Sequence, residues 1–395
     1  MITHLFKCFF LIEVATNQAK DVFLQALTNY SAFLWGARKT GKSSWIKHNF
    51  NSEDIILIDL LKTDVFAEYA VRPSLLRERF GSTNKIIIID EIQKAPVLLD
   101  EIHWMMENSN TRFLLTGSSA RKLRRGHVNL LAGRALRYDL LPFSCMEVGK
   151  IDLEKIMISG LLPPHFLSDK PLDFIRSYIG DYLKEEIALE AQIQKIPQFN
   201  DFLRVAALTS GELLNYSNVA REAGISNKVV RLYFDILENT MMGFRIHSWK
   251  SSKKRRMILA EKFYLFDVGI SNYLSKRQPK QGTPEFGKSF EHLILLELWA
   301  YKHYRSPELD ISYWRTSTGY EVDFILGDKQ VALEVKSGKI VHDIALKGLK
   351  ALQEDGAVKN LLVVSKEKYP RTLGDITILP WKMFLEKLWS GDFGI

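Results

Sequence analysis

The chain has 395 residues, 46% hydrophobic and 25% charged, and its 54 lysines and arginines against 46 acids leave a formal net charge of +8. That balance excludes a disordered tail protein, a collagen-like fibre and a coiled-coil rod, and the length suits two to four domains. The positive excess permits nucleic acid or anionic phosphates as partners without demanding them.

Two cysteines, Cys8 and Cys145, make neither a disulfide framework nor a four-cysteine zinc site, so a reducing compartment is expected. The apolar run from Leu5 to Ala15 contains Lys7 and Glu13. A spanning helix needs about 20 apolar residues in a row. The run also lacks the basic start and small-residue cleavage site of an export signal. It reads as a buried helix or strand, and the expected setting is the cytoplasm with no membrane partner.

Ser31 to Trp35 reads as a buried strand running into Gly36-Ala37-Arg38-Lys39-Thr40-Gly41-Lys42-Ser43, which fits GxxxxGK[ST]. A helix is expected to begin at Ser44. In this context Gly36 and Gly41 let the backbone curl so that N–H groups face phosphate oxygens. Lys42 offers its charge to the outer phosphates, the Ser43 hydroxyl can ligate magnesium, and the helix start adds partial positive charge. The expected nucleotide cradle is therefore Gly36, Ala37, Arg38, Lys39, Thr40, Gly41, Lys42, Ser43 and Ser44.

Ile55 to Asp59 is a second buried strand. Lys85-Ile86-Ile87-Ile88-Ile89-Asp90-Glu91 is a third, apolar on both faces as parallel strands are, with two acids at its carboxyl end where such sheets place ligands. Asp90 is expected to hold magnesium and Glu91 to orient and deprotonate an attacking water. Arg112 to Leu115 leads into Thr116-Gly117-Ser118-Ser119; Thr116 and Ser118 either sense a terminal phosphate or form an ordinary turn with a helix cap. Alternating strands and helices predict a parallel α/β sheet. Of the arginines that follow (Arg121, Arg124, Arg125, Arg134 and Arg137), Arg134 is the candidate to neutralise transition-state charge.

Prolines at 163, 164 and 171 precede a helical stretch, Leu172 to Gln194, read as a packing helix with Asp181, Lys184, Glu185 and Glu186 on its charged face. Ser217 to Asn239 resembles a helix-turn-helix. Ala220 is small at the crossing, Gly224 sits at the turn, and Ser226 caps the second helix. Val230, Tyr233 and Leu237 point inward, while Asn227, Lys228 and Arg231 point outward. Such a unit contacts DNA or serves as a protein-contact or lid module. From Arg245 to Lys262 there are seven lysines and arginines and one acid, Glu261, a loop suited to backbone phosphates or a solvated wing.

Glu321 to Leu326 and Leu333 to Lys336 alternate as strands around the turn Gly327-Asp328-Lys329. Two antiparallel strands place Asp323, Glu334 and Lys336 on one face. Glu291, at the start of a long apolar helix, adds a third carboxylate. Such a group can bind magnesium, with Lys336 positioning or activating water against a phosphodiester. Helix His342 to Gln353 and strand Leu361 to Val364 complete a mixed sheet. The same framework also survives as a binding platform without catalysis.

Four stretches, Leu34 to Ser43, Ile89 to Pro96, Leu115 to Leu123 and Leu131 to Ala135, make the chain similar to AAA+-superfamily ATPases of bacteria and archaea that carry a C-terminal domain of unknown function. The resemblance implies ATP binding and hydrolysis with Mg2+, a winged-helix middle and a C-terminal domain like PD-(D/E)xK nucleases. It carries Lys42, Ser43, Asp90 and Glu91 over as ATPase residues and Asp323, Glu334 and Lys336 as nuclease-like positions, although Val322 replaces the proline of the motif. The expected organisation is a multidomain α/β protein: a P-loop core over 1–150, a helical linker over 151–196, a winged helix over 197–256 and a restriction-endonuclease-like domain over 257–395. The expected partners are ATP, DNA and further copies of the chain. The alternative is an ATP-controlled switch whose C-terminal domain is an inert protein-binding platform.

Overall fold

The structure is a computed structural model that describes residues 24, 26–119, 131–149, 152–180, 196–249, 255–356 and 358–395, without the side chain of Ala132. The run from Leu5 to Ala15, Cys8, Arg121, Arg124, Arg125, the acidic face at 181–186 and three bases of the 245–262 loop (Lys250, Lys253 and Lys254) lie outside the described residues. Among those described, no helix is long and apolar enough to cross a membrane. The chain divides into two units, one running to Pro142 and including Ile236–Met242, the other holding Phe143–Asp235 and Gly243–Ile395.

The first unit is built on five parallel strands: β1 (Ser31–Trp35), β2 (Ile55–Asp59), β3 (Ile86–Asp90), β4 (Arg112–Gly117) and β5 (Ala135–Asp139), in the order β2-β3-β4-β1-β5. The helices between them are α1 (Lys42–Asn49), α2 (Thr63–Val71), α3 (Leu75–Phe80) and α4 (Leu98–Asn108). The isoleucine run of β3 has a direct packing reason. Ile87 and Ile89 enter one apolar cluster with Phe33, Trp35, Phe113 and Leu115, while Ile88 enters a second with Leu34, Trp45, Ile46 and Leu114. A strand covered on both faces has no polar side to present.

The second unit begins with α5 (Leu153–Ser159), α6 (Pro163–Phe166) and α7 (Pro171–Ser177), followed by α8 (Ile196–Leu208), α9 (Tyr216–Ala223) and, as far as Asp235, α10 (Asn227–Asn239). Asn215 caps α9 through the amides of Ser217 and Asn218, and Gly224 closes it in the left-handed region at φ 64°. The Ser226 hydroxyl accepts from the Val229 amide at 3.4 Å. Val230 and Tyr233 are buried, the latter against Phe199 and Phe202, and Asn227, Lys228 and Arg231 face solvent.

An eight-stranded mixed sheet follows, in the order β12-β13-β11-β10-β9-β8-β6-β7. Its strands are β6 (Gly243–Ser248), β7 (Lys262–Leu265), β8 (Ile311–Arg315), β9 (Glu321–Leu326), β10 (Val331–Lys336), β11 (Asn360–Ser365), β12 (Arg371–Leu373) and β13 (Ile376–Pro380). The helices are α11 (Val268–Leu274), α12 (Pro284–Tyr304), α13 (Lys347–Asp355) and α14 (Trp381–Trp389). The helix expected to open near Glu291 starts earlier, because Pro284 occupies its first turn and the Thr283 hydroxyl accepts from the Phe286 amide at 3.3 Å.

Two buried carboxyls tie this unit together. Asp267 accepts from the amides of Leu161 at 2.7 Å, Leu162 at 3.1 Å and Ile270 at 2.9 Å, joining the chain after α5 to the start of α11. Glu297 of α12, 1% exposed, accepts from the Cys145 amide at 2.6 Å and the Trp389 indole at 3.2 Å. Burial pushes the Glu297 carboxyl up to about 7 against these two bonds. A raised carboxyl pKa means that the folded state holds the proton more tightly, so stability is full below about 4.5 and falls as pH rises through about 7. The stability difference between wild type and Glu297→Gln, from denaturant melts, is expected to change by roughly 2–3 kcal/mol between pH 4.5 and pH 8. A difference independent of pH would show that folding leaves the Glu297 pKa where it is in the unfolded chain.

Candidate nucleotide site and carboxylate cluster

Gly36 and Gly41 serve different purposes. Gly41 holds φ 101°, a left-handed backbone that ends the loop before α1. Gly36 is required for space: a methyl there would sit 2.5 Å from the Leu140 carbonyl oxygen and 2.8 Å from the Thr40 hydroxyl. Ala37 accepts from the Thr40 hydroxyl at 2.9 Å. The ammonium of buried Lys42 donates to the Gly36 carbonyl at 2.6 Å and the Ala37 carbonyl at 3.3 Å. Burial, with Arg38 adding to it, lowers the Lys42 pKa, while Glu91 and Asp90 act to raise it. Arg38 is half-buried, and Lys39, Ser43 and Ser44 are exposed.

The acids of β3 reach this loop. The Ser43 hydroxyl donates to Asp90 Oδ2 at 3.1 Å, and the Thr116 hydroxyl donates to Asp90 Oδ1. Glu91 lies in the left-handed region at φ 61°, ψ 47°, a conformation that costs a non-glycine residue of order 1–3 kcal/mol. Gln93 donates to Glu91 Oε2 and, at 3.1 Å, to the Ser118 hydroxyl, which itself donates to Glu91 Oε2 at 3.4 Å. Thr116 and Ser118, open in the sequence between a terminal phosphate and an ordinary turn, each bond one of the two acids here. Gln93 was missed, and its place two residues after Glu91 was the available signal. A hydroxyl beside a carboxylate is a hard-oxygen donor set that suits Mg2+.

Arg134 lies elsewhere. It precedes β5, whose Ala135 pairs with Ser31 at the amino end of β1, whereas the phosphate loop leaves the carboxyl end at Trp35. Its guanidinium meets Glu107, near the end of α4, at 2.7 Å. Five residues of strand, about 17 Å, therefore separate Arg134 from the phosphate loop of its own chain.

In the second unit, β9 and β10 pair antiparallel through Leu333 and Phe324, and β9 shifts register against β8 between the pairs Ser312–Ile325 and Trp314–Val322. The extra residue falls at Asp323–Phe324, a bulge that re-aims the side chain there. Asp323 accepts from the Val335 amide at 2.7 Å. The Lys336 ammonium donates to Glu334 Oε1, and the buried Glu334 Oε2 has no partner among the described residues. Glu291 accepts from the Tyr264 hydroxyl at 2.9 Å. Burial and then the Asp323 charge hold Glu334 and Glu291 well above the carboxylate range. No group of three or more His, Cys, Asp or Glu able to hold a metal ion occurs among the described residues. Glu291, Asp323 and Glu334 are coupled by charge across the cluster.

Of the described bases in the stretch from Arg245 to Lys262, Arg256 is exposed and the other three meet carboxylates. Lys262 is 3% exposed and pairs with Glu321 at 2.7 Å. Burial disfavours its charge, but Glu291, Glu321 and Asp323 outweigh burial and raise its pKa. Arg245 meets Asp235 at 2.9 Å and Arg255 meets Glu354 at 2.7 Å. A cation inside a folded unit goes to the nearest carboxylate because burying it alone costs several kcal/mol. Lys262 and Tyr264, two apart on β7, join the cluster that sequence reasoning had limited to four residues.

Residues 28–149 match the model of an AAA domain, 150–281 match a domain of unknown function (DUF8612), and 286–384 match another (DUF4143). The chain is 25% identical over 262 residues to an uncharacterized protein of Mycobacterium tuberculosis, covering 64% of this chain and 58% of that protein, so it spans less than two thirds of that relative. An uncharacterized protein of Methanocaldococcus jannaschii is 21% identical, covering 93% of this chain and 90% of its own length. Among solved structures, a Walker-type ATPase of Pyrococcus abyssi is similar at 15% identity, covering 66% of this chain and 96% of that chain with a TM-score of 0.43. The Aeropyrum pernix ORC1 protein in complex with DNA is similar at 13% identity, covering 67% and 93%, with a TM-score of 0.28. Over residues 28–149 the first unit, a parallel α/β sheet with the GxxxxGK[ST] loop at Gly36–Ser43, is thus similar to an AAA domain.

Gly36→Ala tests the crowding at the loop. Overpacking of this kind costs about 1–3 kcal/mol. The variant is expected to melt at lower temperature and to bind a fluorescent ATP analogue at least ten-fold more weakly than wild type. Unchanged affinity would show that the loop has room for a methyl.

Proposed function

We propose that the first unit hydrolyses ATP and that the second acts on nucleic acid with a nuclease-like carboxylate cluster. The observation that carries the ATPase reading is the 3.1 Å bond from Ser43 to Asp90, which joins the phosphate loop to the acids of β3. In this reading Lys42 exchanges its loop carbonyls for the outer phosphates. Glu91, held through Oε2 by Gln93 and Ser118, uses Oε1 to take the proton of a water attacking the terminal phosphoryl group. ADP then leaves with its new charge beside Lys42. Ser43 and Asp90 would hold Mg2+, which supplies Lewis-acid neutralisation of phosphate charge. Arg134 can serve only a neighbouring copy, so this reading includes a homo-oligomer.

Support for the nuclease-like reading is the unpartnered Glu334 Oε2 beside Asp323 and Lys336, a donor set for a hard cation and a phosphodiester. The exposed Asn227, Lys228 and Arg231 of α10 fit a winged helix that contacts DNA. A second reading, an ATP-controlled switch with an inert platform, draws on the Lys262 and Lys336 ammoniums that already compensate the carboxylates.

Lys42→Ala is expected to reduce ATP binding and turnover at least 100-fold, measured by nucleotide titration and phosphate release with and without DNA; wild-type turnover would remove the ATPase reading. Asp323→Ala and Glu334→Ala are expected to leave ATP turnover intact and to end Mg2+-dependent cleavage of a labelled DNA. Cleavage persisting in both would place that activity elsewhere, and failure of the wild type to bind DNA at low salt would favour the switch.

A further inference from the structure

β10, β11 and β13 run parallel, so their carboxyl ends open on one edge of the sheet. Lys336 ends β10 opposite Ser365, which ends β11. The two loops that leave this edge are tied together by the Lys366 amide, which donates to the Gly338 carbonyl at 3.2 Å. The first loop carries exposed Lys339 and the second carries Lys366, exposed Lys368 and Tyr369, which is 78% exposed.

Glu154, whose charge acts on Lys366, accepts from the Gln281 side-chain amide at 2.9 Å, and two other acids nearby are held by cations. Glu367 is held by Arg371 at 2.8 Å and by the Val341 amide at 2.6 Å, and Asp343 by Lys350 at 2.7 Å. No ion pair to Lys339 or Lys368 occurs among the described residues. The Lys366 ammonium lies 4.7 Å from the centre of the Phe286 ring on α12, the helix that carries Glu291 one and a half turns further on. Burial, and next the charge of Lys339, lower the Lys366 pKa, while Glu154 opposes them. Two ammoniums thus stand close enough to repel each other beside Lys336, on backbone fixed by strand ends. Like charges held together in this way are relieved by an anion.

We propose that Lys339, Lys366 and Lys368 form a phosphate-binding rim that guides a nucleic-acid strand onto the Glu334–Lys336 edge, with Tyr369 offering a ring for a base to stack on. This proposal rests on the nucleic-acid reading above and names the surface that reading leaves unassigned. Three lysines along a loop pair offer positive charge to a phosphate backbone, and an exposed aromatic beside them is the other element of sequence-tolerant strand binding. In the loop at 245–262, by contrast, three of the four described bases, Arg245, Arg255 and Lys262, meet carboxylates, and Arg256 is exposed.

The test is fluorescence-anisotropy binding of labelled single- and double-stranded 30-mers to the full chain across a series of KCl concentrations. Each phosphate contact adds about 0.7–0.9 to the slope of log affinity against log salt. K339A/K366A/K368A is expected to bind at least ten-fold more weakly at low salt, with a slope shallower by about 2–3. K339R/K366R/K368R is expected to restore both. Because Lys366 packs on Phe286, the exposed pair K339A/K368A provides a second measurement, expected to make the slope shallower by about 1–2 with an unchanged melting temperature. Tyr369→Ala is expected to weaken the single strand more than the duplex. A wild-type slope in both alanine variants would overturn the rim while leaving the nucleic-acid reading standing. Absence of DNA binding by the wild type would overturn that reading and the rim with it. Equal, rim-dependent binding to phosphatidylserine vesicles or polyglutamate would overturn the assignment to nucleic acid.

Discussion

The contact between the Ser43 hydroxyl and the Asp90 carboxylate is the interaction on which the candidate nucleotide site depends, and it exists because of strand direction. β4 lies between β1 and β3, and all three run the same way, so the loop after β1 and the acids after β3 emerge on one edge. Thr116, at the same edge of the intervening strand, donates to the other oxygen of Asp90. One carboxylate thereby joins the ends of three strands. An antiparallel β3 would carry the acids to the far edge, where Arg134 is found.

Around that contact the unit accepts local costs. Glu91 holds a left-handed backbone, Lys42 keeps its ammonium buried among carbonyls, and Gly36 leaves no room for a side chain. Each feature sits at the edge of the sheet where the Gly36–Ser43 loop meets the acids of β3, against isoleucine and leucine packing on both faces of the sheet. Strained or desolvated groups persist only where the surroundings over-determine them.

The second unit applies a different balance. Its cluster gathers Glu291, Glu321, Asp323 and Glu334 against Lys262 and Lys336, so neither sign is buried alone. The bulge at Asp323 breaks the regular pairing of β9 and turns a strand residue into a cluster residue. Glu297 and Asp267 serve structure in the same unit, capping amides that belong to distant stretches of chain.

Short-range pattern made several elements legible in advance. GxxxxGK[ST] after a buried strand, the four isoleucines before Asp90 and the hairpin around Gly327 all rest on contacts within a few residues, and each lies in the element expected of it. The helix end at Gly224, the cap at Ser226 and the buried Val230 are likewise local. Four matters were not legible. Lys262 looked like a solvent-facing base because its partner Glu321 is far along the chain. Whether Arg134 lies near the phosphate loop of its own chain was not legible, because its edge of the sheet depends on how β5 pairs. Gln93 and Tyr264 carried no motif, and the bulge at Asp323 depends on the fit of β8 against β9. Periodicity and loop chemistry are properties of a single segment, so sequence alone determined the strands, the phosphate loop and the acids. Which cations are neutralised, and which end of a sheet a residue reaches, depends on charges and strand partners brought together only by folding, and the tertiary structure alone decided those.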